Sequence, residues 1–461
     1  MLTRPLVSGG KRVTVAGKGP THRLTRGTRA LAFVGLVAIV AACGNSPTKT
    51  ATDTSSSPQA TASDGSQVAV TAPGVTATEI KVGGVAAVTN PLGGLYGDSF
   101  NGTQAYFNMV NDQGGIYGRK LVLAAQRDDK LANNKSEVQG LLTQDNVFAV
   151  LPVSTILFTG ADLLVQQKIP TFGWNINAEW SGTQAEPRAN LFGQAGSYLC
   201  FTCPVPVSPW LAQQAGAHKI GVLAYAVNQS TDCADGITAS FDKYGSMTDS
   251  SVAFEDKSLA FGTADLSVQV SKMKDAGVDL VLTCMDTNGV VTLAKEMKKQ
   301  SLKAVQYLPD AYDHQFLSEF GDLFQGSYVR TDFVQFEIAD KPQGLQDYLD
   351  WMKKLGKEPS ENSVVGWLNA DLFYQGLKAA GPNFSRQSLI DAINQMTAYN
   401  ANGLINNVDW TTAHFQDPST TTFCQFISKI QDSAFTTVFS EPGKPFVCAV
   451  VNGDKIDTAH Q

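Results

Sequence analysis

The 461-residue sequence predicts an α/β fold of two doubly wound lobes with a cleft between them. Three observations predict it: strand-like and helix-like segments alternate with short connections, the alternation restarts after Ala189, and each series is long enough for its own sheet. Apolar residues make up 43% of the chain and charged residues 17%, as in globular proteins. We therefore expect a large buried core.

The first 42 residues have the composition of an export signal. A basic stretch precedes the apolar run Ala30–Val40, which is too short to span a membrane comfortably. Small residues directly before Cys43 resemble the lipobox of bacterial lipoproteins, and an ordinary signal peptide followed by a chance cysteine is the alternative. We expect a lipoprotein signal peptide over 1–42, an extracytoplasmic protein anchored to the cell membrane by lipid on Cys43, and a disordered Ser/Thr/Pro/Ala tether over 43–75.

The two series of elements follow in order. The first has strands near 79–86, 120–126, 147–151 and 170–173 and helices near 98–112, 134–144 and 159–167. The second has strands near 218–225, 251–255, 278–283 and 304–308 and helices near 206–215, 233–244, 264–275 and 288–300. A long helix over 362–380, a hairpin from TTFCQFISKI and AFTTVFS, and an extended piece near Pro445–Val451 complete the chain.

Charge and motif content exclude several functions. The formal net charge is −7, although every charged residue among the first 43 is basic, so the rest of the chain is more acidic than this total. An acidic protein surface does not favour binding to nucleic acid, which needs basic residues against the phosphates. The histidines are scattered, and the sequence contains no G-x-S-x-G, H-E-x-x-H or G-x-x-x-x-G-K-[ST] motif. We expect no enzyme activity, no metal site and no cofactor.

Four motifs between Thr78 and Asp129 carry a family resemblance. They are TEIKVG (Thr78–Gly83), NGTQAYFNMVN (Asn101–Asn111), GGIYGRK (Gly114–Lys120) and Asp128-Asp129. The chain resembles type I periplasmic binding proteins, specifically the branched-chain amino-acid-binding (Leu/Ile/Val) branch, over roughly 75–455. The resemblance implies Rossmann-like lobes joined by a three-strand hinge, a monomer, and a small ligand delivered to an ABC permease whose ATPase is a separate chain.

The family architecture also implies how the chain divides. Lobe I is expected to comprise 76–193 and 335–410. Lobe II is expected to comprise 194–334 and 411–461. The ligand is expected between them, on loops that follow the strands.

The loops that follow the predicted strands supply the candidate ligand contacts. They are Asn90, Leu92, Tyr96, Ser154, Thr155, Trp174, Tyr225, Asp286, Asp310 and Tyr312. The resemblance implies that Ser154 and Thr155 hold a ligand carboxylate and that Asp286 receives its ammonium group, whereas helix N-capping is the alternative for all three. Trp174 stacks on a ligand or packs in the core. The family's usual Tyr-Gly pair is replaced by Cys233-Ala234, which leaves Tyr225 as the substitute.

Six cysteines besides Cys43 suggest disulfides in an exported protein. Cys424 and Cys448 flank the terminal hairpin, and we expect them to pair. Cys200 and Cys203 form a C-x-x-C, but without the sequence context of a thioredoxin. The pairing of the remaining four cysteines stays open.

The sequence thus predicts an extracytoplasmic solute receptor of an ABC importer. An amino acid of the branched-chain type is the default ligand, while an amide, polyol, aromatic acid or peptide would suit the same scaffold. The alternative is a sensor of the same fold that signals to a membrane kinase or receptor.

Overall fold

A βαβ unit begins the folded body: β1 (Glu79–Ala86), α1 (Asp98–Asp112) and β2 (Lys120–Asp128). The structure, a computed structural model, describes residues 68–308, 311–414 and 424–461, all within one unit that spans Asp64–Gln461. The predicted signal peptide, Cys43, most of the tether and Asp310 lie outside the described residues. Gly115 makes the predicted turn between α1 and β2 with φ +78°, and a Cβ there would lie 2.1 Å from the Arg119 carbonyl oxygen.

Residues 68–75, at the end of the predicted tether, pack against this unit. The Arg119 guanidinium is buried and donates to the carbonyl oxygens of Val68 and Thr76, both at 2.8 Å. Val75 pairs with Ile80 in an antiparallel bridge. Because a buried guanidinium needs its donors satisfied, this segment is part of the folded structure.

The first sheet has five parallel strands in the order β2-β1-β3-β4-β5. Its remaining elements are α2 (Asn134–Thr143), β3 (Ala149–Ser154), α3 (Ala161–Gln166), β4 (Thr171–Gly173) and β5 (Leu191–Gly193). All residues of β3, β4 and β5 are buried, as expected for strands covered on both faces.

The second sheet has nine strands, with β14-β13-β11-β10-β9-β8-β6-β7 in sequence across it and β12 paired with β11. Its parallel strands are β6 (Lys219–Tyr225), β7 (Ser251–Leu259), β8 (Leu280–Cys284), β9 (Val305–Leu308) and β10 (Tyr328–Thr331). The helices that precede or connect them are α4 (Val207–Ala215), α5 (Asn228–Tyr244), α6 (Ser267–Ala276), α7 (Thr287–Gln300) and α8 (His314–Phe320). The later strands β11 (Cys424–Gln431), β12 (Ala434–Val438), β13 (Val447–Asn452) and β14 (Lys455–His460) are antiparallel to their neighbours.

Three later helices, α9 (Gln343–Leu355), α10 (Glu361–Ala380) and α11 (Arg386–Ile393), lie between β10 and β11 in sequence. Helix α10 packs directly on α1, where a Cβ on Gly366 would lie 1.8 Å from the Ser99 carbonyl oxygen. Tyr106 on α1 donates to Asp371 on α10 at 2.6 Å. These contacts place α9–α11 on the first sheet.

The chain therefore crosses between the lobes three times: after β5, after β10 and before β11. Close to the second crossing, Phe333 pairs with Ile405 in an antiparallel bridge. The predicted fold of two α/β lobes is confirmed. Within the described ranges, no helix combines the length and the apolar character needed to cross a membrane.

Candidate functional site

A cavity of about 160 Å³ lies between the lobes, and we call it the cleft cavity. Five predicted residues line it: Leu92, Tyr96, Trp174, Tyr225 and Asp286. Sequence reasoning missed further lining residues, among them Ile156, Ile176, Gln194, Phe201, Gln229, Phe261, Met285, Arg330, Asp332 and Glu361. Both lobes contribute apolar and polar side chains: lobe I supplies Glu361 as well as its apolar residues, and lobe II supplies Phe201 and Met285 as well as its polar ones.

The lobe I wall is mainly aromatic and aliphatic, and Glu361 also lies in it. Tyr96 and Trp174 are buried, and their ring centroids lie 5.5 Å apart with the planes inclined by 32°. Asn90 does not line the cavity: its amide nitrogen donates to the carbonyls of Ala87 (2.8 Å) and Gly94 (3.1 Å). Asn90 therefore shapes the loop that presents Leu92 and Tyr96.

Ser154 and Thr155 are buried and lie outside the lining of the cleft cavity. Ser154 Oγ donates to Asn362 Oδ1 at 3.2 Å, and Thr155 Oγ1 donates to the Asp129 carboxylate. Neither residue caps a helix, since α3 begins at Ala161. Their hydroxyls connect segments of lobe I, which is a different role from the predicted hold on a carboxylate.

Lobe II brings three buried polar atoms without hydrogen-bond partners to the cavity: Tyr225 Oη, Gln229 Oε1 and Asp286 Oδ2. The other oxygen of Asp286 caps α7 by accepting the Gly289 N–H at 2.9 Å, so the side chain both caps a helix and faces the cavity. A buried polar atom left unpaired costs about 1–3 kcal/mol. The arrangement is suited to a ligand that donates hydrogen bonds.

Burial sets the protonation behaviour of this group. It raises the pKa of Asp286, and hydrogen bonding from the Gly289 N–H partly opposes the shift. Burial also raises the pKa of Tyr225, with the nearby Asp286 carboxylate adding to it. The Tyr225 hydroxyl approaches Asp286 but makes no hydrogen bond of acceptable geometry. A positive charge beside Asp286 would stabilise its ionised form.

Arg330 is the one basic side chain among the described residues that line the cleft cavity. It lies at the end of β10, and its Nη1 atom is 3.7 Å from Asp332 Oδ1. Burial raises the pKa of Asp332, and the charge of Arg330 opposes this shift. The cavity thus has acidic groups and one guanidinium, which together match a zwitterion.

Hydrogen bonds join the two lobes at the mouth of the cavity. Asn288 Nδ2 donates to the Pro91 carbonyl at 2.9 Å, and the Asn288 N–H donates to the Leu92 carbonyl at 3.3 Å. Gln229 Nε2 donates to the Ile156 carbonyl. We call these three the cross-cleft bonds, and they hold the lobes in contact.

Disulfides stand at the lobe II side of the cavity. Cys233 on α5 is bonded to Cys284 at the end of β8, and Cys200 is bonded to Cys203. The third disulfide, Cys424–Cys448, joins β11 to β13. In the part of the chain that the structure describes, no group of three or more His, Cys, Asp or Glu residues is arranged to hold a metal ion.

Tyr312 lies outside the cleft cavity, in the wall of a separate cavity of about 250 Å³. Its hydroxyl donates to Glu337 and accepts the Phe336 N–H, both at 2.6 Å. These bonds fix the chain after β10. Tyr312 therefore stabilises the second chain crossing between the lobes.

Comparison with known proteins identifies the family. A model of the periplasmic binding protein family matches residues 79–431. Leu/Ile/Val-binding protein homolog 7 of Brucella suis is 23% identical over 65% of this chain and 77% of its own length. Homolog 8 of Brucella abortus is 23% identical over 68% of this chain and 80% of its own length.

Solved structures share the fold. A branched-chain amino acid ABC transporter protein from Thermus thermophilus with bound valine has a TM-score of 0.66 at 14% identity, covering 79% of this chain and 96% of that one. A solute-binding protein from R. palustris in complex with 4-hydroxybenzoate has a TM-score of 0.62 at 19% identity, covering 78% and 95%. With the family match spanning most of its length, this chain belongs to the periplasmic binding proteins.

Proposed function

We propose that the protein is the extracytoplasmic solute receptor of an ABC importer and that its ligand is an amino acid with a hydrophobic side chain. The observation that carries the proposal is the pair of buried, unpartnered acceptor oxygens, Asp286 Oδ2 and Gln229 Oε1, opposite the mainly apolar wall of lobe I. Relatives named as Leu/Ile/Val-binding homologues support the same class.

The ligand's three parts have separate partners in the cleft cavity. Its ammonium group donates to Asp286 and Gln229, which satisfies both acceptors. Its carboxylate pairs with Arg330, whose ion pair with Asp332 is long at 3.7 Å. Its side chain packs among the apolar residues that line the cavity, which include Leu92 and Trp174 on lobe I and Phe201 on lobe II.

Delivery follows from closure of the cleft. The two lobes move as rigid bodies about the three chain crossings. Lobe I comprises 76–193 and 335–410, and lobe II comprises 194–334 and 411–461. The cross-cleft bonds form on closure, so the ligand is enclosed and the closed form is the one that docks on the permease. A separate chain supplies the ATPase.

The membrane anchor belongs to the same proposal. A basic stretch, a short apolar run and Ala41-Ala42 before Cys43 support a cleaved signal peptide and lipid on Cys43. Mass spectrometry of the protein from membranes should find an acylated Cys43 as the first residue. Cys43→Ser should move the protein from the membrane fraction to the soluble fraction. If the variant stays in the membrane fraction as wild type does, the lipid anchor on Cys43 is refuted.

Titration calorimetry on the purified protein tests the ligand class. The panel should contain leucine, isoleucine, valine and phenylalanine, with benzoate and 4-hydroxybenzoate as acids that lack an ammonium group. We expect saturable binding of one or more amino acids and none of the benzoates, because a benzoate has no ammonium group and leaves Asp286 Oδ2 and Gln229 Oε1 unpaired. Binding of the benzoates alone, or turnover of any panel member, would overturn the proposal.

A further inference from the structure

A second cavity of about 90 Å³, here called the inner chamber, lies inside lobe II beside the cleft cavity. It lies between the sheet and helix α5. Four residues line both spaces: Leu199, Phe201, Cys233 and Arg330. The two cavities therefore adjoin at these four residues, and we call this shared boundary the passage.

The passage is fixed by covalent bonds on both sides. Phe201 lies within the four-residue loop closed by the Cys200–Cys203 disulfide. Cys233 is bonded to Cys284 and so ties α5 to the end of β8. Because disulfides hold the backbone on both sides, a ligand chain that crosses here needs only movement of side chains such as Leu199 and Phe201, and no ordering of the loop.

The lining of the inner chamber combines aliphatic side chains with polar ones, among them Ser240, Tyr307 and Gln425. Val205, Ile237 and Leu282 give it aliphatic walls. Thr283 also lines it, is 1% exposed, and its Oγ1 atom has no hydrogen-bond partner. A buried hydroxyl without a partner is unfavourable, so this position is suited to a group that makes a hydrogen bond.

We propose that the inner chamber receives the end of the ligand's side chain. This inference rests on the proposed function and makes it more specific. The preferred ligands are α-amino acids with an unbranched side chain, longer than that of leucine, that ends in a hydrogen-bonding group. The α-amino and carboxylate groups stay in the cleft cavity, the methylene chain crosses the passage, and the end group bonds Thr283 Oγ1.

The volume of the inner chamber favours a long side chain over a short one. One water needs roughly 10–15 Å³ of such space, so a chamber of about 90 Å³ has room for several groups of that size. A leucine or valine side chain ends in the cleft cavity and leaves Thr283 unpaired. A chain of four or more methylenes covers the apolar walls as well.

Calorimetry with a graded series measures the use of the inner chamber. The probes are leucine, norleucine, 2-aminooctanoic acid and N6-acetyl-lysine. Each methylene that enters should tighten binding about threefold to fourfold. N6-acetyl-lysine should bind more tightly than norleucine because its amide reaches Thr283.

Variants separate the inner chamber from the cleft cavity. Ile237→Phe fills the chamber and should remove the gain of the longer ligands, while leucine affinity changes less than about twofold. Asp242→Phe, at an exposed position of the same helix, is the matched control and should leave the whole series unchanged. Thr283→Val should weaken N6-acetyl-lysine about threefold to tenfold and leave norleucine unchanged.

The outcomes distinguish this inference from the proposed function. If no amino acid in the series binds, the proposed function itself fails. If leucine and norleucine bind but 2-aminooctanoic acid and N6-acetyl-lysine gain nothing, the chamber holds only water and this inference is overturned. Loss of leucine binding in Ile237→Phe also counts against it, because the chamber would then not be separable from the cleft.

Discussion

Replacing Asp286 by asparagine separates the two roles of this side chain. Asparagine still caps α7 by accepting the Gly289 N–H, a bond of 2.9 Å in the structure. The change removes the negative charge at the buried Oδ2 atom that faces the cleft cavity. A hydrogen bond to a charged group contributes about 1.5–3 kcal/mol, so we expect amino acid binding to weaken roughly 10- to 150-fold.

Calorimetry with the tightest-binding amino acid of the panel measures this loss. Asp313→Asn is the matched control, because Asp313 caps α8 by accepting the Phe316 N–H at 2.8 Å and does not line the cleft cavity. The control should bind as wild type does. Unchanged affinity in Asp286→Asn, or an equal loss in both variants, would refute the assigned role.

The pH dependence of the same variant gives an independent check. Burial raises the pKa of Asp286, so the carboxyl takes up a proton as the pH falls through that raised value and ligand binding weakens. Asp286→Asn should lack this dependence. Because the folded state holds this proton more tightly than the unfolded state, the carboxyl's contribution to stability falls as the pH rises. Without ligand, the variant should be at least as stable as wild type at neutral pH.

Three further predictions concern closure, pH and the terminal strands. Asn288→Ala removes the 2.9 Å bond to Pro91 and should weaken ligand binding about twofold to tenfold by calorimetry. Unchanged affinity would show that this bond does not contribute to closure. Burial lowers the pKa of His414 to about 4, so stability should fall by up to about 3 kcal/mol from pH 6.5 to 4 in urea titrations, and less in His414→Gln. The Cys424→Ser/Cys448→Ser variant should lose about 3 kcal/mol; an unchanged urea midpoint would contradict this.

Local sequence signals explain which elements could be predicted. The strand at 79–86 and the helix at 98–112 match β1 and α1 residue for residue, because strand alternation, loop glycines and helix periodicity agree there. Helix α5 begins at Asn228 rather than near 233, since the polar residues NQST at its start carry no apolar periodicity. The short strand β10 and helix α11 were not predicted, for they are recognisable only through the sheet and helices they join.

The candidate site was predictable where a single loop positions a side chain. Leu92, Trp174 and Asp286 lie in loops that follow strands, and the rule that ligands bind at the carboxyl ends of parallel strands locates them. Ser154 looked equally well placed. Its hydroxyl bonds instead to Asn362, 208 residues later, and sequence order gives no sign of that partner. Arg330 was missed for the same reason, since the pairing of distant strands brings it to the cavity.

The cross-cleft bonds share one property: on lobe I, every acceptor is a main-chain carbonyl, of Pro91, Leu92 or Ile156. Exchange of the lobe I side chains that contact a ligand would leave these oxygens in place. Ligand choice and lobe closure are therefore separable for mutations on lobe I, whereas Gln229 on lobe II contributes to both. A descendant of this protein can acquire a new ligand by altering its apolar wall while it inherits the closing step, and with it the shape presented to the permease, unchanged.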